Sequence, residues 1–273
     1  MDGYGVPARQ LSELIFAYEG SSFYDDVLAP RSEEFASERT WLSEFSARPG
    51  SPWPSADDEN LWRLYGLGRV NELLLLGFQP PKAGGLHWTG PRISEEQYAS
   101  FAASLGLALH QVRAFSPFYH EIVEVEAAKN DDEPIQLLAS LWPCLMAGNM
   151  LFSRAGVRVS AGRSRLRREL AESSTLYWAY RRQNRPYCDL SRGWGSNSQW
   201  RTKFRRDYRL GGEFYFNVDG THDLASPSLK VDADLTRQER VELLTYRCFV
   251  VTGKPHDDLF PYKDFLARQA EQE

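Results

Sequence analysis

Apolar positions recur at helical spacing through the first third of the chain. Leu11, Leu14, Ile15 and Tyr18 fall on one face of a helix over residues 10–18, and Phe35, Trp41, Leu42 and Phe45 continue the pattern over 32–46. The run RPGSPWPSADDE then carries three prolines and a glycine, which break any element and predict a surface loop. Asp57 or Asp58 can cap the next helix, whose apolar face is Leu61, Leu64, Tyr65, Leu67 and Val70 and which ends near Gly77. Residues 79–90, QPPKAGGLHWTG, have the composition of a linker. Ser94 and Gln97 form a capping box ahead of a helix that stops at Gly106.

Beyond residue 107 the pattern changes. The β-branched residues Ile122, Val123 and Val125 alternate imperfectly with Glu121, Glu124 and Glu126, which predicts a strand over 120–127, followed by a turn at Asn130–Asp132. Residues 135–140 fit a short helix or a strand, and 150–160 a strand interrupted at Ala155–Gly156. Residues 164–182 lack Gly and Pro and carry Leu166, Leu170 and Tyr177 on one side, so a helix is expected there, ended by Pro186. EFYFNV (213–218) reads as an aromatic strand with a turn at Asp219–Gly220. Thr236 and Glu239 make a second capping box for a helix reaching Tyr246, CFVVT (248–252) a short buried strand, and the tail from Tyr262 a last turn of helix. The sum is an α+β protein, a helical N-terminal part packed on a mixed, mainly antiparallel sheet with flanking helices. The linker divides it into a helical part, residues 1–78, and an α+β part, residues 91–273, either as two units or as one continuous domain.

Composition narrows the class. Hydrophobic content of 42% and charged content of 25% are ordinary for a globular chain, whereas 13% aromatics with 8 Trp is high, and such residues serve cores and interfaces alike. The start, MDGYGVPARQ, is not a signal peptide, and the apolar run Leu73–Leu76 with Gly77 and Phe78 is too short to span a bilayer. Cys144, Cys188 and Cys248 are widely spaced and form no CxxC, which argues against disulfides and a cysteine zinc site. A cytoplasmic protein with no membrane partner is expected.

The net charge of −5 conceals a strong asymmetry: residues 154–209 hold 15 Lys+Arg against 4 Asp+Glu, and the rest of the chain 17 against 33. Such segregation points to an anionic partner. The simpler account is that the basic block pairs with the chain's own carboxylates, and the sequence leans that way.

The block ends in Gly193–Tyr208, GWGSNSQWRTKFRRDY. Ser196, Asn197 and Ser198 suit tight turns whose N–H groups can face an anion, and Arg201, Arg205 and Arg206 can bind carboxylate or phosphate bidentately. Trp194, Asn197, Gln199, Trp200, Arg201, Arg205 and Arg206 are the candidate binding residues; the alternative is an ordered loop with its indoles in the core and its arginines on surface carboxylates. Neither GxGxxG nor GK[ST] occurs. On a regular strand His120, Glu124 and Glu126 share a face opposite Glu121, a set able to hold a metal or do acid–base work, or simply to meet solvent. His222 near Asp219 and Asp223 fits turn chemistry, and Cys188, among Arg182, Arg185 and Arg192, has no histidine close in sequence to act as its base.

Three functions follow in order. The first is an intracellular protein-binding or regulatory protein, a class that includes bacterial immunity proteins, presenting an Arg/Trp-rich surface to an acidic protein partner or other anionic ligand. The second is a binder of, or enzyme on, a phosphate ligand, a nucleotide or nucleic acid, using the same arginines. The third is a metal-dependent enzyme at His120 and Glu124. No complete catalytic set and no cofactor motif is present, so the balance leans away from catalysis and from a resident cofactor or metal.

Overall fold

Each helix that the sequence marks with a cap begins at that cap. The computed structural model describes residues 6–50, 52–81, 87–185, 187–188, 203–226, 234–253 and 260–270. Helices α1 (Val6–Ala17) and α2 (Ala36–Ala47) precede α3 (Asp58–Leu75), where the Asp57 carboxylate accepts the Asn60 N–H. The reciprocal capping boxes of Ser94 with Gln97 and Thr236 with Glu239 open α4 (Glu95–Ser104) and the later α6 (Arg237–Tyr246). Between them lies a one-turn helix, α5 (Arg168–Ala171).

The strands in chain order are β1 (Ala108–His110), β2 (His120–Ala127), β3 (Gln136–Trp142), β4 (Cys144–Ala147), β5 (Met150–Ser153), β6 (Ala155–Ala161), β7 (Leu176–Tyr177), β8 (Tyr187–Cys188), β9 (Asp207–Leu210), β10 (Glu213–Phe216), β11 (His222–Asp223) and β12 (Asp264–Gln269). Among the described residues they form a seven-stranded sheet in the order β1-β4-β5-β9-β10-β12-β11, a three-stranded sheet β2-β6-β3, and the pair β7-β8. The large sheet is antiparallel except at β11-β12.

Both faces of the large sheet are buried, and period-two alternation shows why. Leu145, Ala147, Met150 and Phe152 join one core with α1–α4, whereas Met146, Leu151, Phe214, Phe216 and Leu266 join a second with Leu243 and Leu244 of α6 and with Val157 and Val159 of the small sheet. The first core therefore draws on both the 1–78 and the 91–273 parts of the chain.

The two sheets share one bent hairpin. β3 and β6 pair in the small sheet, and their continuations β4 and β5 pair in the large one, with Pro143 and Arg154 at the bend. Trp142 fixes that bend: it is 1% exposed, its indole N–H donates to the Arg154 carbonyl at 2.9 Å, and its six-membered ring occupies the space a Cβ on Gly156 would need. The interruption expected at Ala155–Gly156 thus falls at Arg154 instead.

Three segments depart from the sequence reading, each because tertiary bonds displace local preference. The helix expected over 164–182 is only α5; the Arg167 and Tyr177 N–H groups bond the Val250 and Arg247 carbonyls at 2.7 and 2.8 Å. The same stretch seals the open edge of β2: Glu172 accepts the Val125 N–H, Asn184 donates to the Val123 carbonyl, and Arg185 to that of Ile122. Residues 248–252 are buried at Cys248–Val250 as expected but form no strand, because the Glu242 carboxylate gathers the N–H groups of Val250, Val251 and Thr252. The tail is not helical: β12 lies between β10 and β11, alternating Phe265 toward the first core with Leu266 in the second.

The Trp142 stack yields a direct expectation. Gly156→Ala forces the buried indole to move and lowers stability by about 1–3 kcal/mol, read as a lower urea midpoint, whereas Gly211→Asn, at a solvent-facing position whose φ of 58° asparagine tolerates, leaves the midpoint close to wild type.

Candidate functional site

The structure describes two of the seven candidate binding residues. Trp194, Asn197, Gln199, Trp200 and Arg201 lie outside the described residues. Arg205 and Arg206 are 2% exposed each and point into the protein. Arg205 donates to Asp207 at 2.8 Å, to the Tyr177 hydroxyl at 3.0 Å and to the Leu244 carbonyl. Arg206 grips Asp219 with two bonds of 2.8 and 2.6 Å and donates to the Pro54 carbonyl at 2.7 Å.

His120 and Glu124 are not brought together. The register of β2 on β6 slips between Ile122 and Glu124, so Ile122 and Val125, three residues apart, both enter the second core. The slip leaves Glu124 facing away from His120, correcting the shared face expected of a regular strand. His120 is buried, its Nδ1 accepts the Ser116 N–H at 3.0 Å, and Phe115 stacks on the ring. Burial, with Arg154 and His110 adding to it, pushes the imidazole down to about 4, so it is neutral at physiological pH. Glu124 is answered by Arg158 at 2.7 Å, and no group of three His, Cys, Asp or Glu able to hold a metal occurs among the described residues.

Chemistry concentrates at the hairpin bend instead. Where the two sheets part, a small cavity of about 80 Å³ lies against α3. Tyr65, Arg69 and Glu72 line it at the i, i+4, i+7 spacing of one helix face. Gly68 lets the Phe204 ring approach, since a Cβ there would sit 3.2 Å from it. Glu121 and Arg154 form the floor, and residues 178–180, Arg182, residues 203–205 and Arg247 close the sides.

The floor is built of charge. Asp207, 0% exposed, accepts from Arg205 at 2.8 Å and from the Asn217 N–H at 2.7 Å, and its second oxygen lies 3.6 Å from Arg247 and 3.8 Å from Arg154. Burial alone would raise its pKa, but Arg205, Arg247 and Arg154 together hold it below the ordinary carboxylate value. Arg182 forms a fork on Glu121 with bonds of 2.8 and 2.9 Å and reaches Glu72 at 3.3 Å, so Glu121 too stays below its ordinary value despite complete burial. Both glutamates thereby serve as counter-ions to Arg182.

Arg154 stands apart. It is 4% exposed, none of its three guanidinium nitrogens has a hydrogen-bond partner among the described residues, and Asp207, 3.8 Å away, is shared with two other arginines. Burial, reinforced by Arg247 and Arg205, pushes it down to about 9 against the pull of Asp207 and Glu121. Native proteins leave few buried polar groups unpaired, and each such group calls for a reason.

Two backbone outliers feed the same cavity. Trp178 and Arg247 take positive φ of 59° and 61°, a region that bulky residues avoid. Arg247 ends α6, where glycine would adopt this conformation at no steric cost. The chain instead keeps two large side chains there, and both line the cavity.

No protein-family model matches the chain, and no curated protein or solved structure is significantly similar to it. Sequence reasoning reached Arg205 but not Arg154, Arg182 or Arg247. The available signal for Arg154 was a lone arginine between two apolar strands, MLFS and AGVRVSA.

An uncompensated buried charge opposes folding, so replacing it with an apolar side chain of similar shape is expected to help the unliganded protein. Arg154→Met should raise its stability by about 1–4 kcal/mol, while Asp207→Asn, which strands three guanidiniums, should lower it by about 3–5 kcal/mol; urea denaturation checks both. The depressed carboxylates also set an acid limb. Groups whose folded pKa lies below the unfolded values, 3.8 for Asp207 and 4.5 for Glu121, contribute stability above those values and lose it as pH falls through the folded ones. The urea midpoint of the wild type should fall below pH 4.5, and less steeply in Asp207→Asn.

Proposed function

We propose that the protein is a cytoplasmic binding protein for a small anionic ligand, seated in the cavity with its charge against Arg154. The observation that carries this reading is the Arg154 guanidinium, buried at the cavity floor with all three nitrogens unpartnered. An oxyanion there gains bidentate, charge-assisted hydrogen bonds in a site already stripped of most solvent. Arg182 and Arg205 stand behind it, each hydrogen-bonded to a carboxylate, and Arg247 donates to the Trp178 carbonyl, so the field is fixed before the ligand arrives.

This is the phosphate-ligand expectation moved inward, with Arg205 as the shared residue. A protein-partner surface on the Arg/Trp segment draws less support, because Arg205 and Arg206 spend their donors inside the fold. The same holds for a nucleic-acid groove: across the basic block, Arg158, Arg167, Arg168, Arg182 and Lys203 meet the chain's own carboxylates. For a metal-dependent enzyme, His120 and Glu124 supply no common site.

Thermal denaturation at low ionic strength tests the reading. Inorganic phosphate, sulfate or benzoate should raise the melting temperature of the wild type in a concentration-dependent way, since a ligand bound only by the folded state stabilises it. Arg154→Met should fold and show no such response. An unchanged wild type, or an equal response from both proteins, counts against the anion site.

A further inference from the structure

We infer that the ligand the cavity is shaped for is a compact planar oxyanion, the chemistry shared by formate, nitrate and bicarbonate; this rests on the anion reading above.

Volume sets the size. The cavity against α3 holds about 80 Å³. A protein cavity of about 150 Å³ accommodates one benzene, so roughly half that space suits about three or four non-hydrogen atoms. The walls are held in place by their own contacts. Phe204 stacks on Phe152 with centroids 5.5 Å apart and lies close against Gly68, Arg69 lies over Tyr180 at 3.2 Å, and the Trp178 indole donates to the Lys203 carbonyl at 2.8 Å. A larger anion, such as phosphate, sulfate or benzoate, can enter only in part, from the side where Trp178, Tyr180 and Phe204 are partly exposed. It still meets Arg154, but it keeps more of its water and binds more weakly.

The donors set the shape. Among the described residues Arg154 lacks a hydrogen-bond partner on all three guanidinium nitrogens, and Arg247 lacks one on its Nε. Both side chains line the cavity. Both also approach the same Asp207 oxygen, at 3.8 and 3.6 Å, so the two guanidiniums are neighbours. A guanidinium presents its N–H groups in one plane, in a fork that matches two oxygens of a carboxylate-like group edge to edge. A planar oxyanion fits that fork without bringing bulk above or below the plane, whereas a tetrahedral one always does. The Arg247 Nε supplies a further donor beside it.

Isothermal titration of the full chain, near neutral pH in a chloride-free buffer, compares formate, nitrate, bicarbonate, phosphate, sulfate and benzoate. The best of the three planar ions is expected to bind at least tenfold more tightly than phosphate, sulfate or benzoate. Which of the three leads distinguishes a one-carbon oxyanion from a nitrogen oxyanion as the source. Phe204→Ala, which opens one wall, should narrow the preference over benzoate at least threefold. If that variant does not fold, the wild-type ranking alone decides. Phosphate, sulfate or benzoate binding as tightly as the best planar ion overturns the inference and leaves the anion site standing, and so does a preference that Phe204→Ala leaves unchanged. No heat with any of the six, together with no thermal response to simple anions, overturns both readings.

Discussion

The Asp207 carboxylate is the interaction on which the interior of this protein depends. It opens β9 in the middle of the large sheet, and its two oxygens face Arg205 from the preceding residues, Arg154 from the hairpin bend and Arg247 from the end of α6. It also accepts the N–H of Asn217 just after β10. One buried negative charge thus ties the neighbouring Arg205 and Asn217 to two segments far away in sequence, the hairpin bend and the end of α6. Moving charges out of water is unfavourable unless geometry and hydrogen bonds compensate, and here compensation is complete for Arg205 and incomplete for Arg154. Three arginines thus share one buried carboxylate, and on the proposed reading the guanidinium of Arg154, without a hydrogen-bond partner among the described residues, is what the ligand meets.

The bend sets Arg154 against the cavity. A single hairpin running through both sheets must turn where they separate, and the turn holds Arg154 by its backbone carbonyl to Trp142 while its side chain points into the gap. Helix α3 covers the gap from the other side with a polar stripe on an otherwise buried helix: Glu72 accepts from Arg182 and from the Tyr180 N–H, and Asn71 joins Ser153 to Tyr98. The first core holds the aromatic wall of Phe152 and Phe204, the second Trp178 and Tyr262, so the cavity sits between the two cores.

Local signals in the sequence were sufficient wherever the structure is local. Capping boxes place the starts of α4 and α6, Asp57 places that of α3, and alternation places β2 with both ends correct. They fail where a segment's hydrogen bonds go to distant partners. Residues 164–182 have helical composition, yet their N–H groups and polar side chains serve the 247–250 segment and the β2 edge. The tail DFLARQ contains good helix formers and becomes a strand because β10 offers it a ladder. At the site, segregation of charge was visible, but its direction was not: composition cannot say that Arg205 and Arg206 turn inward, nor that Arg154, Arg182 and Arg247, spread over nearly a hundred residues, meet around one cavity.

The treatment of β2 has a consequence for how these molecules behave in a crowd. A strand at the border of a sheet exposes a row of donors and acceptors that another chain can extend, the first step toward ordered aggregates. Here that row is occupied by Glu172, Asn184 and Arg185, side chains from the same molecule that fit the backbone groups of Val125, Val123 and Ile122. They supply the bonds of a neighbouring strand without being one, so they end the ladder where a true strand would move its open border one step outward. These three polar side chains are what make the sheet finite at this border.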